Sequence, residues 1–226
     1  GLTSQNVDIE NIWQSYLSEL LAIMAELNLG KLDAFLNQLF SVYPAALITD
    51  QLISPVLDNL NQESFGNGVK KSILINRLSE YLLMLTQRQR QQAKGNRVAI
   101  IQLNTAVNPL LNALLHYGLT MNQVKSEVLG VVSVAEVVFA AEQLALDGFI
   151  VFNDACSSLG EFQKELMHLT QTTALPIVVG GKLIHVLTDE FPSHVHLVQG
   201  AGQQDVMDLL NTIFPQNFVG EVEHED

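Results

Sequence analysis

The sequence predicts an α/β protein: an N-terminal four-helix bundle cap, then a five-stranded doubly wound parallel sheet of the flavodoxin/Rossmann-like kind. Three observations carry that expectation. Apolar residues recur at helical spacing through the first 95 residues. From residue 96 onward, short β-rich apolar runs alternate with helical stretches, the order that builds a parallel sheet with helices on both faces. The 226 residues are 48% hydrophobic and 15% charged, which is ample material for a packed core. The expected organisation is a helical cap at 1–95, an α/β unit at 96–215 and an acidic flexible tail at 216–226.

The first helix is predicted from about residue 9, with Ile9, Ile12, Trp13, Tyr16, Leu17, Leu20 and Leu21 at i, i+3, i+4, i+7 spacing. Asn28-Leu29-Gly30 breaks it. A second helix is expected over 31–42, with Leu32, Phe35, Leu36 and Leu39 on one face, ending before Pro44. A third covers 49–60, where Pro55 should kink it or mark its last turns. A loop with two glycines precedes the fourth and longest helix, expected over 69–94.

Lys94-Gly95-Asn96 marks the change of pattern. Val98–Leu103 reads as the first strand. Asn108-Pro109 opens a helix, with Asn as N-cap and Pro at the first helical position. Val128–Val132 is the second strand, and Ser133 with Glu136 forms a capping box for the next helix. Phe149–Asn153 is the third strand, and Ser158 with Glu161 repeats the device. Pro176–Val179, ending at Gly180-Gly181, is the fourth strand. His194–Gln199 is the fifth, and Asp205–Phe214 the last helix. Doubly wound sheets bind ligands beyond the carboxyl ends of their strands. The positions to inspect are therefore Asn104 and Thr105, Gly130 and Val131, Asn153 and Asp154, Gly180 and Gly181, and Gln199 and Gly200.

Composition sets further limits. No apolar run reaches the roughly 18 residues of a membrane span. The single cysteine, Cys156, excludes an internal disulfide or a multi-cysteine zinc site. The N-terminus carries no signal-peptide pattern and reads as a cut inside a longer protein. The net charge is −13 and it is uneven: seven basic and nine acidic residues in 1–95, four and 15 in 96–226. So acidic a surface repels a phosphate backbone, which makes this piece by itself a poor nucleic-acid binder.

The chemical motifs are sparse. The chain has no phosphate-binding G-x-x-x-x-G-K-[ST], no G-x-G-x-x-G after the first strand and no G-x-S-x-G elbow. Cys156 precedes a helix, where a thiol can be activated, but no partnering base is specified. His194-x-His196 would share a strand face, without a third metal ligand. No catalytic residues and no metal ligands are assigned, and the chain is not expected to be an enzyme.

The helical cap followed by a five-stranded doubly wound unit resembles the cobalamin-binding module of methionine synthases. The opening Leu2-Thr3-Ser4-Gln5-Asn6-Val7-Asp8 followed by Trp13 resembles the segment after the DNA-binding part of MerR-family regulators, of the MlrA-like type and related to the CarH/LitR light sensors. Cobalamin-binding members carry D-x-H-x-x-G after the first strand, whose histidine ligates cobalt. In this register the acid is Asn104, the histidine is Ala106 and the glycine is Pro109. The family's S-x-L after the third strand stands as Asn153-Asp154-Ala155, while its Gly-Gly persists as Gly180-Gly181. In the cap, Phe65 takes the place of a family tryptophan and Ile75-Asn76 that of a Glu-His pair.

The resemblance implies an effector or interaction domain with a degenerate cobalamin site, lined by Phe65, Asn76, Asn104, Thr105, Ala106, Pro109, Asn153, Asp154, Gly180 and Gly181. No cofactor is expected, since cobalamin would lack its histidine. The implied partners are promoter DNA through an N-terminal domain outside this chain, a second copy in the full-length protein and an unidentified small molecule. No membrane contact is expected, and the implied location is cytoplasmic. The alternatives are a working corrinoid carrier or sensor and a haem sensor using His194, His196 or His116.

Overall fold

The computed structural model describes residues 2–105, 108–187, 190–200 and 202–214. Ala106 and the acidic tail at 216–226 lie outside the described residues. The cap begins with α1 (Leu2–Glu26), α2 (Leu29–Val42) and α3 (Ala45–Ile48). A π-helical turn (Thr49–Ile53) then leads into α4 (Ser54–Leu60), and α5 (Asn67–Arg90) completes the cap. The α/β unit follows in strict alternation: β1 (Arg97–Gln102), α6 (Pro109–Met121), β2 (Lys125–Val131), α7 (Val134–Leu144), β3 (Gly148–Phe152), α8 (Leu159–Thr172), β4 (Ile177–Gly180), a 3-10 turn (Lys182–Val186), β5 (Val195–Leu197) and α9 (Gln203–Ile213).

The capping signals act as their chemistry requires. Asn28, expected only to break the first helix, is the N-cap of α2, its side chain accepting from Lys31 N. Asn108 caps α6 with Pro109 at its start. Ser133 and Glu136 form the reciprocal capping box of α7, and the Ser158 side chain accepts from Glu161 N at the start of α8. The third helix differs from expectation. It begins four residues earlier and is interrupted by the π turn immediately before Pro55. Proline has no N–H and crowds the carbonyl four residues back, so a wider turn at that place relieves both problems.

All five strands are parallel, in the order β2-β1-β3-β4-β5. The chain moves one way from β1 to β2 and the other way from β1 to β3, so a topological switch point lies between β1 and β3. Alternate residues of each strand feed two cores. Ala99, Ile101, Phe149, Val151, Ile177 and Val179 face α7 and α8, packing with Val137, Phe162 and Leu166. Val98, Ile100, Ile150 and Val178 face α6 and α9, packing with Leu115, Leu119, Val206 and Leu210.

The third core joins cap to sheet. It contains Trp13, Leu20, Leu36, Ile48, Leu52, Leu74 and Leu78 from the cap, and Leu110, Leu111, Leu114 and Tyr117 from α6. Helix α6 is therefore shared, one stripe on the cap and another on the sheet. That shared apolar seam sets the cap over the carboxyl end of β1. Among the described residues, no helix is long and apolar enough to cross a membrane.

Candidate functional site

A groove of about 380 Å³ lies between cap and sheet at the switch point. The sheet contributes Gln102 at the end of β1, Thr105 in the loop after it, Asn108 and Pro109 at the start of α6, and Asp154 and Ala155 after β3. The cap contributes Leu57, Asn61, Lys71 and Ile75. The charge on this rim is balanced: Lys71 Nζ donates to Asn61 Oδ1 at 2.6 Å, and Asp154 Oδ1 accepts from Lys182 N at 3.1 Å. Gln102 is buried. Its Oε1 accepts from Asn108 N at 3.2 Å and its Nε2 donates to Phe152 O at 3.3 Å, so the amide braces the groove floor.

The expected site residues separate into three groups. Thr105, Pro109 and Asp154 line the groove. Asn104, Asn153, Gly180 and Gly181 build the ground beneath and beside it. Asn104 adopts a left-handed conformation at φ 47°, which asparagine tolerates. Its Oδ1 accepts from Ser158 N at 2.8 Å and its backbone oxygen from Ser157 N at 2.7 Å, so it ties the β1 loop to the start of α8. Asn153 is buried. Its Oδ1 accepts from Leu103 N at 3.2 Å, and its Nδ2 donates to Leu103 O at 2.7 Å and to Ala155 O at 3.3 Å. This one amide continues the β1–β3 pairing past the last ladder bond. Phe65 and Asn76 form the third group and correct the expectation. Phe65 is fully exposed in the loop before α5, and Asn76 faces solvent while its neighbour Ile75 faces the groove. The 3.6-residue pitch admits only one of two adjacent residues to that wall.

Sequence reasoning missed Leu57, Asn61, Lys71 and Gln102. Leu57 and Lys71 lie in cap helices that showed only a core-facing pattern, and Asn61 lies just after α4, in what read as a loop. Gln102 falls inside the expected first strand, Val98–Leu103, with no signal of its own. It also missed Asp50, which sits in the π turn, far from the groove motifs in sequence. Its Oδ1 and Oδ2 accept from Gln203 N at 3.0 Å and Gln204 N at 3.2 Å, so a cap residue caps α9 from another element. Burial holds this carboxyl above the ordinary carboxylate range against the pull of those two N–H groups, and the charges of Asp205 and Asp154 push the same way.

The remaining candidates are dispersed. Cys156 is half-buried against the α7–α8 core. His194 Nε2 bonds Thr170 O at 3.1 Å, and His116 Nδ1 lies 2.6 Å from Ser126 Oγ near the opposite end of the sheet. Among the described residues, no three His, Cys, Asp or Glu side chains converge as a metal site requires.

No family model matches the sequence, and no curated protein matches it. Among solved structures, the fold is similar to that of a cobalamin-binding protein from Desulfitobacterium hafniense DCB-2. The identity is 10%, the TM-score is 0.40, and the match covers 85% of this chain and 97% of that one.

The described residues do not fit cobalamin in this groove. The polar side chains around it are an ammonium, amides, one hydroxyl and one carboxylate, with no imidazole or thiolate among the described lining residues. Asn153 fills the crevice between the ends of β1 and β3 with satisfied hydrogen bonds. Beside it, a Cβ on Gly180 would stand 2.9 Å from Val206 and 3.0 Å from Val198, and one on Gly181 would stand 2.4 Å from the Asn153 oxygen. Among the described residues, that crowding leaves no space for a long cofactor tail beside Gly180 and Gly181. Drug-sized ligands occupy pockets of roughly 300–1,000 Å³. A corrin ring with its nucleotide tail exceeds that class, and the groove is near its lower end.

Proposed function

We propose that this chain is the effector domain of a MerR-type transcriptional regulator, with a degenerate cobalamin site that serves as a groove for a smaller, uncharged or weakly polar ligand. The observation that carries this reading is the groove itself. It lies at the switch point, where doubly wound sheets take their ligands, and both cap and sheet wall it. Its polar groups are mainly amides, and its one ammonium and one carboxylate balance.

A ligand here would contact α4 and α5 on one side and the β1 and β3 loops on the other. It would therefore favour one setting of the cap over the sheet, which is what a sensor needs to bias two states. Asp50 transmits that setting, because it joins the cap to the first turn of α9. In the full-length protein, a separate basic N-terminal domain would meet promoter DNA as part of a cytoplasmic homodimer, as palindromic sites require. The −13 charge of this chain keeps the effector domain itself off the phosphate backbone. The chain has no catalytic role in this reading.

The test is a saturation-transfer NMR screen of neutral compounds bearing amide and hydroxyl groups. It compares the protein with Ile75→Trp, which fills the groove from the cap side. The expected result is a set of compounds whose transfer signal is lost in Ile75→Trp, at equal thermal stability and circular dichroism. If every binding compound is indifferent to the substitution, the groove is not the ligand site.

A further inference from the structure

A second concavity, of about 390 Å³, lies at the other end of the sheet, where α5 leads into β1 and β2 begins. Arg90, Lys94, Arg97 and Lys125 line it: four of the chain's eleven basic side chains, in a protein with 24 acidic ones. Residues 96–226 contain only four basic residues, and two of them are here. Glu127 is the sole acidic side chain of the lining.

The hydrogen bonds decide which of these charges are free. Arg90 Nη2 holds both oxygens of Glu127 at 2.7 Å, so that pair is neutralised internally. Arg97 Nη1 donates to Leu144 O at 2.8 Å, a neutral acceptor that leaves its charge uncompensated. Asp147, the next carboxylate at this end, accepts from the Arg97 backbone N–H at 2.7 Å. Lys94 and Lys125 have no ion-pair partner among the described residues. Lys94, Arg97 and Lys125 thus line one concavity, and none of the three side chains has an ion-pair partner among the described residues. The floor is polar and buried: Thr120 and Ser126 are each 3% exposed, and both hydroxyls are engaged by His116. Burial first, and the charge of Arg90 second, hold the His116 imidazole below its ordinary pKa, with Glu127 opposing.

We propose that this concavity is a binding site for a small phosphorylated molecule, separate from the cap–sheet groove. Like charges held together without partners repel one another, and a dianion relieves that repulsion. Arg97 and the two lysines offer N–H donors to phosphate oxygens, and the Arg90–Glu127 pair forms one edge. The volume exceeds what a bare phosphate fills, which favours an organic phosphomonoester.

The test is titration calorimetry at constant ionic strength with inorganic phosphate, pyrophosphate and ribose 5-phosphate, on the protein, on Lys94→Gln/Lys125→Gln and on Lys164→Gln. Lys164 is an exposed lysine of α8 away from the concavity. The expected result is binding weakened tenfold or more in the double variant and unchanged in Lys164→Gln. Ribose 5-phosphate binding more tightly than inorganic phosphate identifies an organic phosphomonoester, and the reverse order identifies the free anion as the source. Equal binding in all three proteins, or none in any, overturns the proposal. So does a short DNA duplex that binds through the same two lysines more tightly than ribose 5-phosphate.

Discussion

Replacing Gly181 by alanine is expected to destabilise the protein by about 3 kcal/mol or more. Gly181 follows β4 with φ 89° and ψ 178°, a conformation nearly confined to glycine. An added Cβ would stand 2.4 Å from the Asn153 oxygen, 2.7 Å from its carbonyl carbon and 3.0 Å from its nitrogen. All three are backbone atoms, and two are fixed in hydrogen bonds: Asn153 N donates to Gly180 O, and Leu183 N donates to Asn153 O. No side chain can swing away to make room. The clash must move β3 relative to β4 or break those bonds. Urea denaturation measures the loss, with Gly68→Ala as the reference. Gly68 is helical, and nothing lies within 4 Å of its Cβ position, so alanine there is expected to stabilise by about 1 kcal/mol. A Gly181→Ala variant as stable as the parent would mean the β3–β4 end is far softer than described.

Asn153→Ala is expected to cost about 2–4 kcal/mol, through a different mechanism. Leu103 is 1% exposed, and its N–H and C=O both depend on the Asn153 amide. Truncation leaves two buried backbone groups without partners, each at a cost of about 1–3 kcal/mol, together with a small void. Asn153→Asp separates the polar effect from the packing effect. A carboxylate can still accept from Leu103 N, but it faces Leu103 O with an oxygen and cannot donate. Equilibrium unfolding at neutral pH should rank the parent above both variants. A loss below about 1 kcal/mol in Asn153→Ala would show that water replaces the amide and that the crevice is open.

Much of the fold was legible because local chemistry marks its joints. Asn108-Pro109, Ser133 with Glu136 and Ser158 with Glu161 each announce a helix start in four residues or fewer, and β3 between them is a continuous apolar run, while β2 begins three residues before its expected start, at polar Lys125-Ser126-Glu127. Bounds slipped where the signal was tertiary. The π turn arises from Pro55 together with packing on α1 and α9, which no local pattern records. Asn28 looked like a breaker because its role as a cap depends on the chain turning there.

The groove was legible in its position, and its lining residues less so. Strand ends and the resemblance pointed to Thr105, Pro109 and Asp154. The cap wall depends on helix rotation, so Ile75 was taken with Asn76 and Phe65 was placed in a wall it does not reach. The basic concavity was not visible at all. Its charges come from the end of α5, the start of β1 and the start of β2, and sequence order spreads them from Arg90 to Lys125. Net charge, which summarises the chain as acidic, hides such a local exception.

The central claim is that the cap–sheet groove has been turned from a corrinoid to a smaller ligand. The most direct measurement is the visible absorbance spectrum of the protein after mixing with hydroxocobalamin and adenosylcobalamin in the dark, followed by desalting. A protein fraction free of corrinoid bands is the predicted result, because the described groove has no imidazole and Asn153 closes the way between β1 and β3. Stoichiometric corrinoid that stays with the protein would contradict the account and make the groove a working cobalamin site.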